Sequence, residues 1–240
     1  MLIEVCSTSL QSVKNAASAG ADRIELCSAL ELGGLTPSMG LIKKAQELNI
    51  IDIHCLLRPR VGHFIYTDEE LNLIEEDLKF VGELGCKGVV LGALTPEFKL
   101  DLKRLERWRQ LAGDMYLTFH RAFDVIVNPK EALQQLIELG YDCILTAGGS
   151  EKAINGFNSL EEWNKKFGEQ ILIMPGSGIN TNNCQKFKSA GFRALHLSGS
   201  ESLNLLVPPD SVNTAISFLN QPIYESSYST IKEVVDRVKA

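Results

Sequence analysis

Short apolar runs rich in β-branched residues alternate with longer amphipathic stretches along this chain, and no other feature constrains its fold more strongly. The alternation is typical of parallel strands that are joined by crossover helices. Eight such pairs follow one another. The eight predicted strands are Leu2–Cys6, Arg23–Cys27, Ile51–Leu57, Gly88–Leu91, Met115–His120, Cys143–Thr146, Ile171–Met174 and Ala194–Ser198.

Helix boundary signals lie between these strands in a regular order. Thr67 with Glu70 three residues later has the spacing of a capping box, and Asn128-Pro129 places proline at a first helical position. A glycine then recurs between the end of a helix and the start of the next strand, where a left-handed residue suits a helix C-terminus. These glycines are Gly20, Gly85, Gly140 and Gly191.

Eight units in one register predict an α/β protein with a closed (β/α)8 TIM barrel. An open doubly wound sheet usually has fewer strands and a glycine-rich loop after the first strand, and Cys6-Ser7-Thr8-Ser9 stands there instead. A length of 240 residues fits one such barrel. We therefore expect a single TIM-barrel domain over 1–240, with strand–helix repeats to about 220. We expect the C-terminal helix, over 229–239, to pack as a lid or an interface element.

Charge and composition exclude several classes of function. A net charge of -6 provides no basic surface to neutralise phosphates, so neither nucleic acid nor an anionic membrane is expected as a partner. The start of the chain reads as a strand rather than a signal peptide, and no apolar run approaches the roughly 20 residues that span a bilayer. Six cysteines without a CxxC pair suit free thiols in a reducing compartment. We expect a cytoplasmic protein.

Charged and polar residues gather at the carboxyl ends of the predicted strands, where TIM barrels carry their functional sites. This set predicts an acid–base or anion-binding cluster, with buried carboxylates partnered by arginine and histidine. Its alternative is a group of satisfied ion pairs that fills the barrel interior. The candidate catalytic residues are Glu4, Glu25, Arg58, His120 and Asp124.

Glycine- and serine-rich segments follow the last three strands. Their backbone N–H groups can approach an oxyanion, and phosphate binds to the loops after strands seven and eight in many such barrels. The alternative is that they are tight turns. The candidate anion-binding residues are Gly148, Gly176, Ser177, Gly178, Ser198 and Gly199.

Two cysteines end neighbouring strands on the same side. Since adjacent strands lie about 4.8 Å apart, Cys6 and Cys27 could hold a soft cation such as Cu(I). The alternative is that Cys6 and Cys27 only pack in the core, as most buried unpaired cysteines do, because such cysteines behave as small hydrophobic residues. The other four cysteines are expected to pack, and His54 and His63 to be structural. The lack of a lysine at a strand end argues against a Schiff-base aldolase, and the lack of a GxGxxG or Walker loop argues against nucleotide cofactors.

Several stretches of the chain resemble the CutC family, and the resemblance runs from the first strand to about Ser200. It implies a cytoplasmic TIM barrel that acts in copper homeostasis, with Cys6 and Cys27 as Cu(I) ligands and a dimer or tetramer as the assembly. One departure is Val61-Gly62-His63-Phe64, where the family usually has a carboxylate in place of His63. The stretches that carry the resemblance are Glu4–Cys6, Gly20–Cys27, Gly33–Ser38, Arg58–Arg60, Gly92–Thr95, Thr118–Asp124 and Gly176–Ile179.

Two functions of different classes follow. The first is a copper homeostasis protein that binds Cu(I) in the cytoplasm. The second is an enzyme for a small phosphorylated or carboxylated metabolite, with Glu25 or Glu4 as base, His120 as acid and Arg58 as anion clamp. A purely structural protein would leave the polar strand ends unexplained.

Overall fold

The computed structural model describes residues 1–203, 209, 213, 215–216 and 221–240. At its centre lie eight parallel strands, each a run of four to six residues. They are β1 (Leu2–Ser7), β2 (Arg23–Leu26), β3 (Asp52–Leu56), β4 (Gly88–Leu91), β5 (Tyr116–Phe119), β6 (Cys143–Thr146), β7 (Leu172–Pro175) and β8 (Ala194–Leu197).

Helices follow the strands and surround the sheet. They are α1 (Leu10–Ala19), α2 (Met39–Leu48), α3 (Asp68–Glu83), α4 (Leu102–Ala112), α5 (Pro129–Glu138), α6 (Phe157–Phe167), α7 (Cys184–Ser189) and α8 (Tyr228–Lys239). Between β8 and α8 lies an antiparallel pair, β9 (Ser200–Ser202) with β10 (Tyr224–Ser226). The sheet order is β7-β6-β5-β4-β3-β2-β1-β8, and β7 also contacts β8, which gives the predicted TIM barrel in nearly closed form.

The boundary signals in the sequence act as predicted. Thr67 accepts a hydrogen bond from the N–H of Glu70, whose side chain accepts one from the N–H of Thr67, so α3 begins with a complete capping box. Pro129 is the first residue of α5. Gly20 ends α1 with φ 88°, and its N–H reaches the carbonyls of the last turn. The strand predictions are correct to within one residue at every end, and the eight strands lie where the alternation placed them.

The two faces of the barrel strands carry different chemistry. Because successive side chains of a strand alternate, Ile3 and Val5 point outwards into the core between sheet and helices, while Glu4 and Cys6 point into the barrel. The outer face is almost wholly apolar, as expected of a sheet that is covered by helices. The inner face therefore holds the buried polar groups, and it positions the candidate site.

The C-terminal helix differs from its prediction as a lid or an interface element. α8 packs against α1 and α7, so it is the eighth helix of the barrel ring. Its apolar residues Ile231, Val234, Val235 and Val238 recur at helical spacing and are buried. Their burial leaves no apolar face for a lid, which is why the prediction was wrong. The predicted end of the repeats near residue 220 lies outside the described residues, and the single domain over 1–240 stays a prediction.

Within the described ranges, no helix combines the length and the apolar character that crossing a membrane requires.

Truncation of Ile231 to alanine tests the place of α8 in the barrel. Ile231 is fully buried against Gly199, so Ile231→Ala should lower the free energy of unfolding by about 2–5 kcal/mol. Tyr228→Ala, at a half-exposed position of the same helix, should change it by less than about 0.5 kcal/mol. Urea denaturation of both variants measures the difference. Equal, small effects would mean that α8 does not belong to the core.

Candidate functional site

A buried ionic network occupies the barrel interior where β1, β2 and β8 lie side by side. Glu4, fully buried, accepts a hydrogen bond from Arg23 Nε at 2.6 Å and one from His196 Nδ1 at 2.8 Å. The parallel register places these residues directly opposite one another on the three strands. Both Glu4 oxygens are therefore engaged, and Glu4 does not face the cavity above.

The charges of this network explain its pKa shifts. Burial disfavours ionisation of Glu4, but Arg23 and His196 outweigh it and lower the pKa of the carboxyl to about 2. Burial also disfavours the charged form of His196, but the hydrogen bond to Glu4 and the nearby Glu25 raise its pKa. His54 lies 4.0 Å from Glu4, and burial lowers its pKa to about 4, so it is a neutral interior residue as predicted.

A cavity of about 310 Å³ opens above this network at the carboxyl ends of the strands. We call it the cup. Seven of the residues singled out in the sequence line it: Cys6, Glu25, Arg58, His120, Ser177, Gly178 and Ser198. The other lining residues are Leu30, Gly33, Gly34, Leu56, Phe64, Arg121, Leu145, Ile179, His196 and Leu197.

Three side chains with different donor atoms form the bottom of the cup. The ligand atoms of Cys6, Glu25 and His196 lie within 4.8 Å of one another, and we call these residues the floor cluster. His196 Nε2 lies 3.6 Å from Glu25 Oε2. Burial raises the pKa of Glu25, against the nearby charge of His196. The floor cluster can therefore exchange protons or bind a cation.

Cys27 lies beside the floor cluster but does not line the cup. Its Sγ is 3.3 Å from Cys6 Sγ, which confirms that the two thiols meet. The hydrogen bond with Cys27 and burial raise the pKa of Cys6, so its thiol is protonated at neutral pH. All six cysteines are buried free thiols.

Arg58 brings a positive charge to the wall of the cup. Three of its five N–H groups donate to the carbonyl oxygens of Leu32, Gly34 and Gly62, which fixes the surrounding loops. Its guanidinium lies over the Phe64 ring, 5.0 Å from the centroid. The remaining N–H groups can serve an anion.

His120 lies against the same ring and does not suit the role of acid that the sequence suggested. Its ring centroid is 4.7 Å from that of Phe64, and Nδ1 accepts a hydrogen bond from the N–H of Ala122. Burial and the charge of Arg58 lower its pKa to about 3. His120 is therefore neutral, with its proton on Nε2, and this atom has no partner in the part of the chain that the structure describes. It can donate a hydrogen bond but is not an imidazolium.

The predicted anion loops divide into two groups. The N–H groups of Ser177, Gly178 and Ile179 make no hydrogen bond to any described residue, and all three residues line the cup. We call these N–H groups the loop amides. Ser198 also lines the cup, and its hydroxyl lies 3.1 Å from that of Ser200.

The other three predicted anion residues have structural tasks. The N–H of Gly176 continues the sheet to the carbonyl of Thr146, and that of Gly148 donates to the Thr146 hydroxyl. Gly199 permits the close approach of Ile231, which a Cβ would meet at 2.7 Å. None of the three lines the cup, and their role as anion ligands stays a prediction.

Asp124, predicted as a catalytic residue, is hydrogen-bonded away from the cup. Its carboxylate accepts hydrogen bonds from the N–H groups of Ala147 and Gly149, the Thr146 hydroxyl and Arg121 Nε. These bonds fasten the loop after β6 to the segment after β5. The carboxylate is saturated and lies outside the lining of the cup, so its role is structural.

Sequence reasoning missed or undervalued two residues. His196 stands at a strand end, two residues before Ser198, and this parity could have placed it in the barrel interior. Phe64 offered no signal, because a loop residue acquires its contact with His120 only through the fold.

Comparison with known proteins agrees with this architecture. The model of the CutC family matches residues 1–201. CutC family protein of Pasteurella multocida (strain Pm70) is 38% identical over 243 aligned residues, covering 100% of this chain and 99% of that protein. Its counterpart in Salmonella schwarzengrund (strain CVM19633) is 42% identical over 197 residues, covering 82% and 79%. The chain belongs to the CutC family.

Solved structures give the same result. The crystal structure of CutC from Streptococcus agalactiae, a protein assigned to copper homeostasis, is 33% identical and superposes with a TM-score of 0.78 over 82% of this chain and 98% of that one. Thiamine phosphate pyrophosphorylase from Pyrococcus furiosus reaches a TM-score of 0.60 over 99% of this chain and 95% of that one, at 13% identity, and shows the shared barrel alone.

The neutral state of His120 predicts a pH dependence of folding. Its pKa is about 3 in the folded protein against an ordinary 6.5, so below pH 6.5 the unfolded chain binds a proton that the folded chain refuses. The free energy of unfolding should therefore decrease as the pH is lowered below 6.5, by about 1.4 kcal/mol per pH unit for this group. Denaturation at pH 7 and at pH 5 measures the free energy of unfolding that is lost between the two pH values. This loss should be smaller in His120→Gln than in the wild type, by up to about 2 kcal/mol.

His63→Gln, at an exposed histidine, is the control and should keep the wild-type difference between the two pH values. His54 contributes with the same sign, so His120→Gln retains part of the loss. An unchanged loss in His120→Gln would show that its imidazole is protonated in the folded protein.

Proposed function

We propose that this member of the CutC family is an enzyme that takes a small phosphorylated or carboxylated metabolite into the cup and acts on it by acid–base chemistry. One observation carries the proposal. The same cavity is lined by Arg58 and by the residues of the loop amides on one side, and by the thiol, carboxyl and imidazole of the floor cluster on the other. Its position at the carboxyl ends of barrel strands is where enzymes of this fold have their active sites.

The anion-binding side combines one fixed charge with several neutral donors. Arg58 supplies the charge, and the loop amides supply unused N–H groups. Such donors favour an oxyanion when they are already held in place, because binding then requires little ordering. A cavity of about 310 Å³ limits the ligand to a small metabolite.

The floor side supplies the chemistry. Burial raises the pKa of Glu25 above the ordinary value of a carboxyl group, which favours the protonated form that a general acid needs. His196 lies beside Glu25 and is held in orientation by Glu4. Of the two glutamates that the sequence offered as base, Glu25 is the one that faces the cup.

Anion binding is tested by calorimetric titration of the protein, treated with chelator, with inorganic phosphate and with malonate. One of the two should bind, and Arg58→Gln should weaken it about 10- to 100-fold, since a charged hydrogen bond contributes about 1.5–3 kcal/mol. Arg60→Gln is the matched control. Arg60 also holds three loop carbonyls but lies outside the cup, so its variant should bind as the wild type does.

If anion affinity fell equally in Arg58→Gln and Arg60→Gln, the loss would come from disordered loops. That result would contradict the proposed role of Arg58 in anion binding. Turnover is tested by incubating small sugar phosphates and carboxylates in D₂O and measuring deuterium incorporation by mass spectrometry. Exchange that persists in Glu25→Gln would exclude the floor as the source of proton transfer.

A second candidate function rests on the two thiols. Cys6 Sγ and Cys27 Sγ are buried 3.3 Å apart, and thiolates suit Cu(I). This arrangement supports the Cu(I) site that the family resemblance implies, and the Streptococcus agalactiae relative is assigned to copper homeostasis. Copper would here be a cargo that displaces the proton of each thiol. We also propose that the protein works in the cytoplasm, as a dimer or tetramer.

The copper function predicts about one Cu(I) per chain under anaerobic conditions. Both thiols are required, so Cys6→Ser and Cys27→Ser should each reduce the stoichiometry to near zero in a competition assay with a Cu(I) chelator. Cys55→Ser, at a buried thiol on the outer face of β3, is the control and should bind as the wild type does. Unchanged binding in the double variant of Cys6 and Cys27 would remove this function.

A further inference from the structure

We propose that Cys6, Glu25 and His196 form a binding site for a zinc-class divalent cation at the floor of the cup. Their donor atoms are a sulfur, a carboxylate oxygen and an imidazole nitrogen, all within 4.8 Å of one another. They come from β1, β2 and β8, which are neighbours in the sheet. Within the described part of the chain, no other three such side chains lie this close.

The histidine is oriented as a metal ligand would be. His196 Nδ1 donates to Glu4 Oε1 at 2.8 Å, and Glu4 is itself fixed by Arg23. With Nδ1 engaged, Nε2 is the nitrogen that faces Glu25 and the cup. A carboxylate behind a ligating histidine is the usual outer partner in zinc sites, where it fixes the ring and raises its basicity.

Burial and access also suit a cation. All three ligands are buried and all three line the cup, so a cation between them would be shielded below and open above. Three protein ligands with one open position are the arrangement of catalytic zinc sites, whereas structural sites are closed by four. Charge agrees as well once the ion displaces the proton of Cys6, because the resulting thiolate and the Glu25 carboxylate together balance a divalent ion.

The donor set selects the class of ion. Magnesium and calcium take oxygen ligands, and Cu(I) prefers sulfur, so a mixture of sulfur, nitrogen and oxygen favours a borderline ion such as zinc. The site shares Cys6 with the proposed copper pair but replaces Cys27 by Glu25 and His196. The two sites therefore predict different sets of essential residues.

The proposed zinc-class site deepens the proposed enzyme function. It rests on that function in one respect, because a substrate bound in the cup would contact the cation. Glu25 would then be a ligand, and the cation would polarise a substrate oxygen in place of the carboxyl proton. Anion binding is measured on chelator-treated protein and metal binding without any anion. Failure of one is thus distinguishable from failure of the other.

The test is titration of the full-length apoprotein with Zn²⁺ and, separately, with Co²⁺ as a spectroscopic probe. We expect about one ion per chain and a thiolate-to-Co²⁺ charge-transfer absorption. Cys6→Ser should abolish that absorption, and Glu25→Gln and His196→Asn should each weaken Zn²⁺ binding at least about tenfold. Cys27→Ser is the matched control, an equally conservative change at the neighbouring buried thiol, and should retain both stoichiometry and absorption.

X-ray absorption of the Zn²⁺-loaded wild type keeps the proposal testable if a variant does not fold. One sulfur with nitrogen and oxygen neighbours is the expected coordination. Two sulfurs would assign the ion to the pair Cys6 and Cys27, and no stoichiometric binding would remove the site. Either result overturns the proposal, as does loss of Zn²⁺ in Cys27→Ser.

Discussion

The structure depends on the charge of one carboxylate in the middle of the barrel. Glu4 is fully buried, and a buried carboxylate is strongly unfavourable unless it is paired and hydrogen-bonded. Arg23 and His196 meet that requirement from the two strands that flank β1. The network thereby joins the first strand to the last and holds the barrel near its point of closure. It also decides which nitrogen of His196 faces the cup.

Charged residues above this layer divide into those that build loops and those that face the cavity. Arg60 and Asp124 build loops. Arg60 donates to three loop carbonyls and to Glu70, and Asp124 accepts from loop amides and from Arg121. Arg58 both holds loops and faces the cavity, since its hydrogen bonds to three loop carbonyls leave some of its N–H groups unused. A polar strand end is thus necessary for a site in this fold but does not identify one.

The sequence was sufficient for the strands and for seven of the seventeen residues that line the cup. The alternation of side chains placed Cys6 and Glu25 inside the barrel, and the order of units placed Arg58 and His120 at its carboxyl end. The hydrogen bonds that engage Asp124 and Gly176 could not be predicted, for one reason. Whether a carboxylate or an N–H group is already hydrogen-bonded depends on partners distant along the chain, such as Thr146 for Gly176, and no local pattern contains that information. The packing of α8 against α1 and α7 escaped prediction similarly, because a long segment separates it from β8.

Access to the floor bears on which cation the site would favour. Cys6, Glu25 and His196 all line the cup, whereas Cys27 is fully buried behind Cys6 and does not. An ion that enters from the carboxyl side therefore meets sulfur, oxygen and nitrogen donors together before it can reach a second sulfur. Coordination by both thiols would instead use Cys27 Sγ, which lies 3.3 Å from Cys6 Sγ, and would leave Glu25 and His196 unused. Since Glu4 holds the imidazole in place from below, the mixed site has one ligand that is already oriented.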